Sequence, residues 1–304
     1  MLSSVKRLLI PLLVALLLSG CSDVLGVNTK QPIRCDATRP FGPFVPIAEL
    51  QNLKTDFNPR LTADELTLYF LSDRVGVENR LQIWTASRAS RDARWENIHV
   101  VKELEDSAVQ FSGVAVTADG NTLYYSRPKD TGRALYGARR PARGEPFSGQ
   151  RELFDHPDWY EFDLALSPSN EIIIAMGSRV GLAYELWSLR PPVVDDVNDP
   201  KRVFPNTIAS LVSAPTISPD ELELYFSTGT EEATQLYVAR RATKDEPFGT
   251  PVAVSELDEP GRGEQAGWIS PDNCRLYGAT FRKQTGGAGT NGSMYWDLAV
   301  ATRR

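Results

Sequence analysis

The chemistry open to this chain is mainly carboxylate chemistry. Its 304 residues hold 39 Asp and Glu but only 2 His and 3 Cys, which excludes a metal centre built on several histidines. Asp56, Glu161, Asp163 and Glu264 stand out because they fall at related places along the chain. Two carboxyl groups about 5–5.5 Å apart can serve a glycosidic bond as acid and nucleophile, and two about 6.5–9.5 Å apart as acid and base. Other candidates are weaker. Asp155-His156-Pro157-Asp158 reads as loop surface, and His99 sits inside a strand-like run. The glycine-rich stretch from Gly286 to Gly292 lacks the Lys and Ser/Thr of a phosphate loop and reads as a hairpin insertion. No Gly-x-Ser-x-Gly nucleophile elbow occurs.

Whether those carboxylates meet depends on the elements that carry them, and a repeat sets these. A turn of Ser/Thr-Pro/Ala-Asp type recurs at Thr62-Ala63-Asp64, Thr117-Ala118-Asp119, Ser167-Pro168-Ser169, Ser218-Pro219-Asp220 and Ser270-Pro271-Asp272, at steps of 55, 50, 51 and 52 residues. Proline presets φ, and Asp caps its own turn. After each turn comes a run rich in Leu, Tyr and Phe, and then a third run carrying Trp84, Tyr136, Trp187 and Tyr237 in register. These aromatics are expected to pack between repeats. Arg88, Arg139, Arg190 and Arg240 close the corresponding strands.

A fourth run, Ile98–Leu104, Gln150–Phe154, Val203–Ile208 and Pro251–Leu257, completes four of the repeats and is missing from the fifth. Its counterpart lies at the other end of the chain. Residues 40–50 align without a gap to residues 247–257 and match at six of eleven positions. Four strands per unit of about 50 residues, with a permuted strand to close the ring, describe a β-propeller. Five repeats predict an all-β fold of five four-stranded antiparallel blades. The innermost strands start near Asp56, Phe111, Glu161, Val212 and Glu264, which makes Asp56, Glu161, Asp163 and Glu264 the candidate ligand-binding groups at the channel mouth.

The Ser-Pro-Asp turns followed by Leu-Tyr-Phe and Leu-Tyr-Val-Ala-Arg resemble the WD-repeat-like blades of TolB-type propellers of the bacterial envelope, over residues 40–304. That resemblance implies a propeller that binds a protein or a small ligand and carries over no catalytic residue. The expectation is therefore a binding or scaffolding module with no catalytic activity, no metal and no cofactor. The alternative is a carbohydrate-active enzyme using Asp56, Asp163 and Glu264, because five-bladed propellers also resemble the scaffold of some glycosidase families. The expected partners are an envelope protein, a small ligand or a glycan. Without Lys6 and Arg7 of the leader, 31 basic residues face 39 acidic ones, which excludes a basic nucleic-acid footprint. The chain is expected to be a monomer.

The first twenty residues point to export. Lys6 and Arg7 precede an apolar stretch, Leu8 to Leu18, too short to span a bilayer. Leu18-Ser19-Gly20-Cys21 then resembles the bacterial lipobox. The predicted organisation is a signal peptide over 1–20, a lipidated tether over 21–39 and the propeller over 40–304. Ser22 after the cysteine favours the outer membrane by resemblance to lipoprotein sorting rules, with the facing side left open. The other cysteines, Cys35 and Cys274, both belong to the last blade. The starts of its second and fourth strands share a face about 10 Å apart, a gap that residues 36–39 can span, so a disulfide is expected in an oxidising compartment, against the alternative of two free thiols. If Cys21 carries the lipid, Cys21→Ser moves the protein from the detergent-dependent membrane fraction to the soluble fraction. An unmodified peptide containing Cys21 in wild-type membranes contradicts the assignment.

Overall fold

In the computed structural model, residues 35–304 form one compact unit. The structure describes residues 35–303 except 53, 75–79, 130–131, 157–158, 179–180, 191–200, 207–210, 231–232, 260 and 284–293. The leader, Cys21 and the insertion at Gly286–Gly292 lie outside the described residues, as do Pro157 and Asp158. Among the described residues, no helix is long and apolar enough to cross a membrane.

Among the described residues, twenty strands make five four-stranded antiparallel sheets. After β1 (Val45–Pro46), blade 1 runs from the inside outward as β2 (Asp56–Leu61), β3 (Thr67–Ser72), β4 (Gln82–Ser87) and β5 (Glu96–Val100). Blade 2 is β6 (Gly113–Val116), β7 (Thr122–Lys129), β8 (Gly132–Arg139) and β9 (Ser148–His156). Blade 3 is β10 (Trp159–Leu166), β11 (Ile172–Ser178), β12 (Gly181–Leu189) and β13 (Lys201–Arg202). Blade 4 is β14 (Val212–Ile217), β15 (Glu223–Thr228), β16 (Gln235–Arg240) and β17 (Val252–Ala253). Blade 5 is β18 (Glu264–Ile269), β19 (Arg275–Lys283) and β20 (Met294–Thr302), completed by β1. The inner strands touch in the order β2, β6, β10, β14, β18 and back to β2, which closes a ring. In blade 3 the outer strand lies earlier than the Val203–Ile208 run, at Lys201–Arg202, and Val203 continues it with an N–H bond to the Leu186 carbonyl at 2.9 Å.

The repeated turns form because each satisfies itself. In blades 1, 2, 4 and 5 the leading hydroxyl donates to the Asp carboxylate two residues on: Thr62 to Asp64 at 2.7 Å, Thr117 to Asp119 at 2.6 Å, Ser218 to Asp220 and Ser270 to Asp272 at 2.5 Å. The next residue is left-handed in all five, with φ of 62° at Glu65, 77° at Gly120, 64° at Asn170, 60° at Glu221 and 57° at Asn273. Gly and Asn fit such a position readily, whereas Glu is strained there. Glu65 has compensation, since its buried carboxylate meets Arg275 at 2.6 Å and the Tyr277 hydroxyl at 3.0 Å from blade 5.

Arginines at the ends of third strands join neighbouring blades. Arg88 stacks 4.3 Å from the Trp95 ring and donates to Tyr277 of blade 5 at 3.0 Å. Arg140 lies over Phe147 at 4.5 Å and donates to Tyr69 of blade 1 at 2.9 Å, and Arg303 lies over Phe41 at 4.1 Å. The repeated geometry uses Arg140 and Arg241, each one residue past the Arg139 and Arg240 that end their strands, with Arg241 over Phe248 at 4.5 Å. Trp84 is buried among Leu298 and Tyr277 of the adjoining blade, while Tyr136 and Tyr237 stack on Tyr125 and Phe226 of their own blades.

The ring closes through the N-terminal segment. β1 pairs with β20 through Val45 opposite Val300 and Pro46 opposite Ala299, and the Gly42 and Ile47 amides extend the ladder, each at 2.9 Å. A disulfide joins Cys35 to Cys274 with the Cα atoms 5.9 Å apart. Since it bridges 239 residues of separation, removing it by C35A/C274A is expected to cost up to about 5 kcal/mol in the chain-entropy description. An unchanged urea midpoint would show that strand pairing alone locks the ring.

Candidate functional site in the central channel

The inner strands are not regular. Pairing with the second strand slips between Phe57 and Arg60, Tyr160 and Asp163, Ser213 and Thr216, and Ala266 and Trp268, so four of five inner strands bulge at one level of the ring. Asn58 and Ala214 within these bulges are left-handed, with φ of 57° and 49°. A bulge re-aims side chains and frees backbone groups. Here the freed Ala214 N–H donates to Asp163 Oδ2 at 2.6 Å, and the Asn58 side-chain amide donates to Asp163 Oδ1.

Arg60 lies beside them, its side chain 3% exposed. Its Nε donates to the Val114 carbonyl at 3.1 Å, and Nη2 donates to the Leu164 carbonyl and to the Pro215 carbonyl at 3.2 Å. The guanidinium of blade 1 thereby reaches blades 2, 3 and 4, and its Nη2 stands 3.8 Å from Asp163 Oδ1. Burial pushes Asp163 up to about 6 despite Arg60, the Ala214 N–H and Asn58, and pulls Arg60 down to about 10 despite Asp163. Both shifts say that desolvation outweighs the mutual attraction at this distance.

Two cavities open at opposite ends of the inner strands. At the strand starts, a cavity of about 220 Å³ is lined by Asp163, Phe57, Phe111, Gln110, Ser112, Arg133, Tyr184 and Gln265, among others. At the strand ends, a cavity of about 290 Å³ is lined by Arg60 and mostly apolar side chains.

Asp56 and Glu264 are in neither wall. Asp56 begins β2 but is fully buried, ion-paired with Arg74 Nη2 at 2.8 Å and bonded by the Asn52 side chain. Burial raises it to about 6, with Arg74, Ser72 and Asn52 opposing. Glu264 begins β18 and is 1% exposed; it accepts from the Glu259 N–H at 3.2 Å. Burial raises it to about 7, Asp258 and Glu259 adding to the rise. Glu161 lies in β10, and its side chain is outside the described residues. The structure thus brings Asp163 to the mouth and turns Asp56 and Glu264 into packed interior. Asp155 is engaged by Lys129 at 2.6 Å, and among the described residues no three His, Cys, Asp or Glu side chains cluster as metal ligands.

The sequence reading missed Arg60, although a signal was present. Counted from the turns, its place is held by Ala115, Ala165, Thr216 and Trp268 in the other repeats. A lone cation in a register of mostly small, uncharged residues marks the residue that fills the centre.

No family model matches the chain, and no curated protein matches it. Solved structures do. The catalytic domain of a GH62 α-L-arabinofuranosidase from Coprinopsis cinerea is 10% identical over 88% of this chain and 98% of that one, with a TM-score of 0.53. A thermostable family-43 glycoside hydrolase is 13% identical over 84% and 92%, with a TM-score of 0.55. TolB from Acinetobacter baumannii is 11% identical over 83% of this chain and 55% of that one, with a TM-score of 0.48, so the chain spans about half of TolB. Likeness at this identity establishes the propeller fold. It also corrects the expectation of a protein without catalytic activity, because the five-bladed neighbours are mostly glycoside hydrolases and the architecture gives no ground for setting catalysis aside.

The raised value of Asp163 has a consequence for stability. Folded Asp163 keeps its proton up to about pH 6 while the unfolded chain releases it near 3.8, so its contribution is full below about pH 4 and is lost as pH rises through 6. Wild type should lose up to about 3 kcal/mol relative to Asp163→Asn between these limits. Urea melts of both proteins across pH 4–7 measure this, and a difference that stays flat contradicts it. Asp56 and Glu264 shift in the same direction and cancel from the comparison.

Proposed function

We propose that the protein is a lipid-anchored propeller of the bacterial envelope that takes a carbohydrate into the Asp163 mouth. The observation that carries this reading is the composition of the mouth: the Asp163 carboxylate, the rings of Phe57, Phe111 and Tyr184, and the amides of Gln110 and Gln265. A sugar offers hydroxyl edges and apolar C–H faces, and a pocket that alternates rings with a few placed polar groups suits both. Asp163 would meet the ligand as hydrogen-bond acceptor when ionised and as donor when protonated, and a value near 6 puts both forms within reach of neutral conditions. The envelope assignment is supported by the lipobox-like run ending at Cys21.

The Cys21→Ser protein tested against a panel of soluble oligosaccharides, by calorimetry for binding and by product analysis for hydrolysis, examines the reading. Binding of at least one member is expected, weakened tenfold or more by Asp163→Asn in protein that still melts in a single cooperative transition. Hydrolysis that disappears in the same variant would make Asp163 the proton-transferring group. No binding and no turnover across the panel defeats the proposal.

A further inference from the structure

The cavity at the strand ends is built differently from the Asp163 mouth and has no part in the carbohydrate reading. Its rim is the repeat itself. The second residue of every turn, Ala63, Ala118, Pro168, Pro219 and Pro271, lines it, so all five blades contribute one small apolar group. Below the rim the wall is Leu61, Val116, Ile217, Ile269 and Trp268. Among the described residues, Arg60 is the one charged side chain in this wall, and it takes no part in the wall of the other cavity.

Arg60 has donors left over. A guanidinium carries five N–H groups, of which Nε and Nη2 are directed at the Val114, Leu164 and Pro215 carbonyls. Among the described residues, Nη1 is buried without a hydrogen-bond partner, on a side chain 3% exposed. Buried charged donors without acceptors are costly, and Arg60 lines this cavity, so a small shift of its guanidinium towards an acceptor held there is favoured. Asp163 does not supply that acceptor, since its contact is with Nη2, at 3.8 Å.

From this geometry we infer that the strand-end cavity is a second ligand site, which takes a small monocarboxylate with an apolar body. The carboxylate meets Arg60 at the base, and the hydrocarbon lies against the apolar wall inside the collar of turn residues. A volume of about 290 Å³ stands at the lower end of small-molecule pockets, about 300–1,000 Å³. A bound carboxylate also competes with Asp163 for the same guanidinium, so the two ends of the channel are linked through one ion pair.

The probes are octanoate and its neutral counterpart 1-octanol, titrated calorimetrically into the Cys21→Ser protein, which retains the whole chain and needs no detergent. Octanoate is expected to bind at least tenfold more tightly than octanol. Leu166→Glu, which replaces a half-buried leucine of the cavity wall with a negative charge, should abolish octanoate binding, and Ala63→Glu at the rim carries the same test if the first variant lowers the melting midpoint. Asp163→Asn should tighten octanoate several-fold and leave octanol unchanged, which an indifferent apolar void would not do. Equal affinity for the two probes, octanoate binding that survives both Glu substitutions, an Asp163→Asn protein with unaltered octanoate affinity, or no octanoate binding at millimolar concentration each overturns the inference. The carbohydrate reading stands or falls separately, because its ligands enter at the other end.

Discussion

One guanidinium at the centre of the ring is the interaction on which the rest depends. A propeller has no core shared by all its blades, because each blade packs mainly on its neighbours. Arg60 supplies what that architecture lacks. From blade 1 it binds carbonyls of blades 2, 3 and 4 and sits beside the carboxylate of Asp163. The desolvation of such a charge costs several kcal/mol, and it is offset because the inner strands of blades 2, 3 and 4 present carbonyls around it. Arginine suits the position for a geometric reason: its planar fork addresses several acceptors at once, whereas a lysine ammonium acts as a compact point charge.

The second constraint is closure, and it is concentrated in blade 5. That blade takes its outer strand from the start of the chain, so any loosening there opens the whole ring. Three independent ties converge on it. The β1–β20 ladder supplies backbone bonds, the Cys35–Cys274 bridge pins the segment before β1, and buried Glu65 gathers Arg275 and the Tyr277 hydroxyl across the blade 5 to blade 1 boundary. Gly267 reveals how closely these two blades approach. A Cβ there would stand 2.5 Å from the Pro59 side chain, inside any permitted contact.

The architecture was legible because turn chemistry and strand periodicity repeat, and repetition separates a constraint from chance. The match of residues 40–50 to 247–257 identified the permuted strand, which the structure places at Val45–Pro46 in blade 5. The channel was less legible for a specific physical reason. Asp56 and Glu264 begin inner strands as expected, yet their orientation is decided by partners distant in sequence or by a local amide: Arg74 at the end of β3 claims the first, and the Glu259 N–H holds the second. Asp163 sits at a bulge, where the strict alternation of sides along a strand fails. A pattern of types along the chain does not encode that slip.

The two ends of the channel differ in how freely their residues can vary, and this bears on where selectivity resides. At the strand ends the lining residues belong to the turns, where Pro or Ala precedes the capping Asp or Ser and a left-handed residue follows, so side-chain size is limited by backbone geometry. The collar is consequently apolar and nearly five-fold in character. At the strand starts no turn imposes a type, and the equivalent positions hold Phe57, Ser112, Ser213 and Gln265, four residues of unlike size and polarity. Evolution can therefore alter that end without disturbing the repeat that builds the ring. Arg60 and Asp163 lie at the boundary between the two regimes, one in each wall, and among the described residues the charge balance between them links the two ends.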